Sequence, residues 1–310
     1  MFSVVFPGQG SQKIGMAKEL FQSFNLVKNI FSDADKILDL PISKIILDGP
    51  EEKLNSTENT QPAIFLVSYS IFKLAKEEYG VEFNKAQFAA GHSLGEYSAL
   101  CCFDVLNFEE VLIALKKRGQ LMQQAVPNGE GGMIVILGSD LKTIENILNE
   151  NVKKYECFIA NDNSPQQLVV SGLKKNLSKF SEDLNKYKIK NLTLNVSAPF
   201  HCVLMKKATE HMSEVINNLK INKISKPIIH NYNAKPSFSE EDIKTMLLSQ
   251  IEGKVRWIES IKYMINNGTN NFVEIGPGKV LSGLIKRIDK NVRINSINNI
   301  IDIKELKLNE

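Results

Sequence analysis

The sequence predicts an α/β protein: a mostly parallel sheet with helices on both faces, interrupted by a smaller βαββαβ unit. Three observations lead there. Residues 2–6 and 88–90 are short apolar runs without alternation, as in buried strands, and 271–275 reads as a further strand ahead of a glycine-rich turn. Helix-period segments separate these runs, which favours parallel strands in one sheet. Between residues 128 and 197 the order changes to strand, helix, strand, strand, helix, strand. With 310 residues the chain is about twice the modal domain length, so it has room for both units.

In chain order, residues 2–6 end at Pro7-Gly8-Gln9-Gly10-Ser11, a glycine-bearing loop. Helical spacing covers residues 15–38 and 62–79, the second with Ile64, Val67, Ile71, Leu74 and Ala75 on one side. Residues 88–90 lead into Gly91-His92-Ser93-Leu94-Gly95, followed by helices at 96–102 and 108–124. In the middle unit strands are expected at 132–137, 155–160, 168–171 and 190–196, helices at 140–150 and 174–187, and a turn at 162–165. This is the split βαβ signature of a ferredoxin-like domain. The expected division is a discontinuous large catalytic domain, 1–127 and 198–310, around a small domain, 128–197. Beyond it come a helix at 203–219, a strand at 227–230, a helix at 256–266 and the strand at 271–275 ahead of Gly276-Pro277-Gly278. The charged last residues are expected to fray.

Apolar residues make up 43% of the chain and charged residues 24%, which excludes a disordered or collagen-like chain. Lys and Arg number 38 against 35 Asp and Glu; a net +3 is too small to predict a nucleic-acid binder. Cys101, Cys102, Cys157 and Cys202 include no C-x-x-C, so neither a disulfide framework nor a zinc site is expected. Reduced thiols in a cytoplasmic compartment fit that usage. No apolar stretch approaches the roughly 18 residues that span a bilayer, and a first apolar run beside Met1 leaves no signal peptide to expect.

Gly91-His92-Ser93-Leu94-Gly95 carries the chemistry. In a nucleophile elbow the serine occupies a strained strand-to-helix turn, so small residues are needed two before and two after it. The following amide, of Leu94, then points at a developing oxyanion from a helix N-terminus. The five-residue pattern is weak alone, but an apolar strand precedes it and a helix follows. A structural glycine turn is the competing reading.

A serine hydroxyl needs a base, and the chain has four histidines: His92, His201, His211 and His230. His92 adjoins the serine on a sharp turn and fits a packing role. His211 lies on a charged helix face, and His230 ends an apolar run. His201 sits where the chain leaves the small domain, beside any cleft between the two. By position it competes evenly with an ordinary packed histidine, and His230 is the runner-up. Gln9 offers an amide from a strand-end loop to the same oxyanion, or is a surface turn. Arg118 interrupts an apolar-periodic helix; it either snorkels to solvent or pairs with a carboxylate, and position alone favours solvent.

Taken together the chain resembles the bacterial malonyl-CoA:acyl carrier protein transacylases. The resemblance covers nearly the whole chain and rests on FPGQGSQ at 6–12, GHSLGEYSAL at 91–100, RGQLMQ at 118–123, NDNSPQQLVVSG at 161–172, SAPFHCVLM at 197–205 and VEIGPGKVLSGL at 273–284. It implies a hydrolase-like α/β large domain with a ferredoxin-like insertion. It also implies Ser93 as nucleophile, His201 as base, Gln9 and the Leu94 amide as oxyanion hole, and Arg118 as clamp for the malonyl carboxylate. Gln250 would orient the histidine in place of a triad carboxylate, with His92 and Asn161 as supporting residues. The implied reaction is ping-pong malonyl transfer from malonyl-CoA to the phosphopantetheine thiol of acyl carrier protein, with no metal or redox cofactor, by a monomer that binds neither nucleic acid nor membrane. Gln166 stands where the family usually carries glycine, and Phe200 is compatible with malonyl selection.

An acidic carrier suits basic residues at the cleft rim: Lys286 and Arg287 first, then Lys206 and Lys207, each also readable as a solvated helix face. Two rival functions remain at this level. A serine esterase or thioesterase would place an acid between serine and histidine, for which Asp162 is the candidate. A catalytically silent scaffold that binds carrier protein would not need Ser93, His201 and Arg118 together.

Overall fold

A computed structural model describes residues 1–306 and 308. β1 (Phe2–Phe6) is buried throughout, and a set of helices follows it: Lys18–Ser23, Asn25–Leu38, Ile42–Asp48, Glu51–Asn55 and Thr57–Glu77. The last begins five residues before its expected start at Pro62. Thr57, Asn59, Thr60 and Gln61 disguise that first turn because they are polar, yet all four are buried. Thr60 and Asn59 satisfy themselves on the carbonyls of Leu54 and Lys53. β2 (Ala89–Gly91) precedes the helices Leu94–Cys102 and Phe108–Gln124.

The middle of the chain contributes β3 (Gly131–Leu137), β4 (Phe158–Ser164), β5 (Gln167–Leu173) and β6 (Lys190–Thr193), with helices Leu141–Glu150, Val152–Tyr155 and Lys174–Lys186. Their sheet runs β4-β5-β3-β6, antiparallel throughout. The second strand lies later than expected, and the turn is displaced with it to Pro165 and Gln166. Asn161-Asp162-Asn163-Ser164 looks like a surface turn by composition, yet all four residues are buried in β4. They pack against the rest of the molecule: the Asp162 amide donates to the Val255 carbonyl at 2.9 Å, and Val255 returns an amide to Ala160 at 2.8 Å.

Then come β7 (Ile228–Ile229), helices Glu240–Glu252 and Trp257–Asn266, β8 (Asn271–Ile275), helix Val280–Ile288 and β9 (Arg293–Ile297). The helix expected at 203–219 is Lys206–Asn217, behind a short 3-10 turn. Among the described residues the second sheet runs β7-β2-β1-β8-β9 and is parallel throughout. Alternate side chains of β1 enter opposite layers: Val4 and Phe6 pack with Phe65, Phe72 and Leu112, while Val5 packs with Trp257, Ile261 and Leu284. This two-sided burial is why β1 reads as a nearly continuous apolar run. β9 escapes sequence reading because it is an edge strand, half-exposed and written Arg-Ile-Asn-Ser-Ile. The expected fraying of the chain end falls on residues 307, 309 and 310, which lie outside the described residues. Strand order reverses beside β1, since β2 and β7 lie to one side and β8 and β9 to the other. Open α/β sheets bind ligands outside the carboxyl ends of strands at such a point.

Candidate active site

Ser93 stands at the carboxyl end of β2 with φ 54° and ψ −112°, a strained conformation between strand and helix. The flanking glycines are there for space. A Cβ on Gly91 would overlap the carbonyl of Gly95, and one on Gly95 would overlap the carbonyl of Phe6 on β1. The turn is therefore pressed between its own helix and the neighbouring strand, and the hydroxyl is left facing a pocket of about 520 Å³ between the two sheets.

The Ser93 hydroxyl lies 2.9 Å from His201 Nε2, and His201 Nδ1 lies 2.8 Å from the backbone carbonyl of Gln250. A carbonyl accepts only from an N–H, so Nδ1 carries the proton and Nε2 faces the serine as an acceptor. Burial, helped by the Arg118 cation, pushes His201 down to about 3. Its resting form is a neutral base.

Arg118 is 1% exposed, which overturns the solvent reading that its position alone favours. One guanidinium nitrogen, NH1, donates to Gln61 Oε1 at 2.7 Å; the other, NH2, donates to Gln250 Oε1 at 2.9 Å and to Ser93 Oγ at 3.2 Å. The guanidinium carbon also lies 5.8 Å from the centre of the Tyr97 ring. Among the described residues no carboxylate lies within 4.0 Å of it. A buried cation with no carboxylate in contact, aimed at the Ser93 hydroxyl, keeps the capacity to receive an anion in the pocket.

Gln9 and Leu94 both line the pocket. The Leu94 amide opens its helix and so has no intrahelical acceptor. The Gln9 amide reaches Thr57 Oγ1 at 3.5 Å, a weak tether. His92 turns away from His201: its Nε2 meets Asn163 Oδ1 at 2.8 Å, and burial lowers its basicity. Asn161 lines the pocket wall, and the His201 partner is Gln250, so neither His92 nor Asn161 makes the bond that orients the base. His230 is excluded as the base by its position, with Nδ1 2.7 Å from Glu96 Oε1 and no exposure. Asp162, the acid a hydrolase would need, is held by burial at about 6 and makes no bond to His201.

Sequence reasoning missed three buried groups. Asn231 accepts the Ser93 amide at 2.6 Å and donates to the Gly91 carbonyl at 2.7 Å, clasping the elbow. It follows a strand at the same carboxyl edge, a place that position marks. Gln61 holds Arg118, hidden in the polar first turn of its helix. Glu96 directly follows the elbow, three residues after the serine, and only the structure shows that it is fully buried.

The glycine-rich end of β8 has a structural task. Glu274 accepts from the amides of Leu281 and Ser282 at 3.0 and 2.7 Å, fixing the start of helix Val280–Ile288, whose Val280, Leu281 and Leu284 close one side of the pocket. On that helix Arg287 reaches across to Gln167 Oε1 at 2.7 Å, whereas Lys286 is tied to the carbonyls of Lys290 and Val292. Lys206 and Lys207 are exposed at the start of their own helix.

Residues 3–290 match the family model described as the acyl transferase domain. The chain is 40% identical over 291 residues to the malonyl CoA-acyl carrier protein transacylase of Bacillus subtilis (strain 168), covering 93% of this chain and 90% of that one. It is 40% identical over 306 residues to the transacylase of the same name from Staphylococcus aureus (strain MW2), covering 97% of both. Among solved structures, the acyl-carrier-protein-S-malonyltransferase of Bartonella henselae superposes with a TM-score of 0.94 at 37% identity, covering 98% of this chain and 97% of that one. A malonyl-transacylase solved in complex with its type II PKS acyl-carrier protein superposes equally well, at 36% identity and with coverage of 98% and 97%.

Proposed function

The chain belongs to the acyl transferase domain family, and from that membership and the site's geometry we propose how it moves malonyl from malonyl-CoA to acyl carrier protein in fatty-acid synthesis. The observation that carries the residue roles is the buried Arg118 guanidinium, which lacks an anion and lies 3.2 Å from the Ser93 hydroxyl. A malonyl group has a free carboxylate two carbons from its thioester carbonyl. With that carboxylate on Arg118, the carbonyl carbon is brought to Ser93 Oγ.

Ser93 gives its proton to His201 Nε2 as Oγ bonds to the thioester carbon. The carbonyl oxygen takes the negative charge and is received by the Leu94 amide and the Gln9 side chain. The C–S bond then breaks, and the CoA sulfur leaves with the proton from the imidazolium. In the second half the phosphopantetheine thiol gives its proton to His201 and attacks the malonyl ester, returning Ser93 to its hydroxyl. The Gln250 carbonyl keeps the imidazole oriented throughout, a neutral acceptor where a hydrolase triad has an acid.

The same reading covers organisation and setting. All of the reacting groups come from one chain, which supports a monomer as the working unit. The division at 127/128 and 197/198 coincides with the change from parallel to antiparallel sheet. Among the described residues no helix is long and apolar enough to cross a membrane, and the four cysteines are free and buried, which supports a cytoplasmic setting. Brief exposure to malonyl-CoA followed by intact-mass measurement tests the assignment. We expect one malonyl adduct on the wild type and none on Ser93→Ala; an adduct on both proteins, or release of free malonate without acceptor at the rate of transfer, overturns it.

A further inference from the structure

Behind the reacting groups lies a buried carboxylate that the mechanism does not use. Glu96 has no solvent exposure, and three donors converge on it: His230 Nδ1 at 2.7 Å, the Asn231 amide at 2.9 Å and Gln250 Nε2 at 2.7 Å. The last two partners are also the ones that hold the site. Asn231 clasps the Ser93 turn, and Gln250 gives its side-chain oxygen to Arg118 and its backbone carbonyl to His201.

The Gln250 side chain permits only one orientation here. Its nitrogen faces the Glu96 carboxylate and the Ser93 carbonyl, while its oxygen faces the Arg118 guanidinium. Reversal would set an N–H against guanidinium N–H groups and an oxygen against carboxylate oxygen. Opposite charges thus sit at the two ends of one amide, Arg118 on its oxygen and Glu96 on its nitrogen, with no direct ion pair between them.

We propose that Glu96 is a positioning residue for the acyl carboxylate: through the Gln250 amide it holds Arg118 aimed at Ser93 without occupying the guanidinium itself. This rests on the malonyl-transfer reading. A direct Arg–carboxylate bridge would fill the binding site with the protein's own anion, whereas a neutral amide between them transmits orientation and leaves the cation free for substrate. The dependence is selective. His201 hangs on the Gln250 main chain, which its helix fixes, so the base survives a swing of the side chain that Arg118 does not.

Single-turnover acylation of Glu96→Gln, followed by quench and intact mass across malonyl-CoA and acetyl-CoA concentrations, separates affinity from rate. The neutral side chain can still accept from the Asn231 amide and Gln250 Nε2 on one oxygen while its NH2 meets His230 Nδ1, so the hold on the Gln250 amide keeps its partner and loses its charge. Loss of one charge-assisted hydrogen bond corresponds to roughly a ten- to hundredfold weaker half-saturation for malonyl-CoA. The maximal rate should change by less than about threefold, and acetyl transfer should hardly respond, because no charge is bound there. Equal losses for both acyl groups, or loss in the rate alone, overturn the proposal, as does an unchanged malonyl profile in a folded variant. If Glu96→Gln does not fold, Glu96→Asp keeps the charge but withdraws it by one methylene, and the same shift in malonyl half-saturation, smaller in size, is required. Wild-type protein that forms no malonyl adduct would instead sink the underlying reading.

Discussion

The two sheets border the same pocket and serve it in different ways. The parallel sheet presents polar side chains from its strand ends: Gln9 beyond β1, Ser93 beyond β2, Asn231 beyond β7. The antiparallel sheet delivers a wall, with Met133 and Val135 from β3, Asn161 and Asn163 from β4 and Val169 from β5. Strand direction explains the contrast. Parallel strands all finish at one edge, so their loops converge on a point; antiparallel neighbours finish at opposite edges, so only a face is available. Chemistry gathers at an edge, and shape is supplied by a face.

The sharpest way to break this contrast is to truncate one group from each side. Ser93→Ala, at the end of β2, should lower kcat for malonyl transfer by at least about 10³-fold, whereas Val169→Ala should cost less than about tenfold. Steady-state rates with both substrates check the pair, and comparable losses would refute it. Next in size, Arg118→Ala should lower kcat/KM for malonyl-CoA about a hundredfold more than for acetyl-CoA, the scale of a lost charge-assisted bond in a buried site. Equal losses would remove Arg118 from acyl recognition.

Glycine substitutions carry the comparison into stability. Gly91→Ala forces a methyl into the backbone of the following turn and should destabilise by about 1–3 kcal/mol or more. Gly132→Ala on β3 meets only side-chain carbons of Lys174 and Leu177, at 3.4 and 3.5 Å, and should stay within about 1 kcal/mol. Thermal melts of the two variants decide between an edge that is over-determined and a face that gives.

Acidity separates the regions more gently. His201 is held at about 3, below its ordinary value near 6.5, so the neutral base persists as pH falls. Malonyl-serine formation should therefore show no loss of rate around pH 6.5 that His201 could cause. Folding stability runs the other way. Between about 6.5 and 3 the unfolded chain binds a proton at this site that the folded one refuses, so stability falls with falling pH. Denaturant melts of His201→Phe should show a shallower decline over that window. The smallest effect is expected at the rim: Arg287→Glu should raise the KM for carrier protein by a few-fold without touching acylation, and Lys286→Glu should do less, because its ammonium is already spent on the carbonyls of Lys290 and Val292.

What the sequence revealed, and what it hid, divides along similar lines. β1 was legible because a strand buried on both faces is mostly apolar, and β8 because it lies between a helical segment and the Gly276-Pro277-Gly278 turn. The elbow was legible because a strained turn against a neighbouring strand admits only glycine at two positions. β9 and the end of β4 were not: one is half-wet at an edge, and the other buries four polar residues against a surface that exists only after folding. Arg118 shows the limit most plainly. Its helix spacing gave equal licence to a solvated and a buried guanidinium, and position alone favoured the wrong one.

By itself, then, the amino-acid sequence determined the alternation of buried strands and helices, the antiparallel middle unit and the glycine-flanked turn at Ser93, all of which depend on local sterics and on periodic burial. The folded molecule alone decided that the Gln250 carbonyl holds the base, that Glu96 lies behind it through an amide, and that Arg118 is buried without an anion. Those partners lie between 49 and 154 residues apart in the chain, and a hydrogen bond or a missing counter-charge across such a span has no pattern in sequence; it comes into being when the strand ends converge.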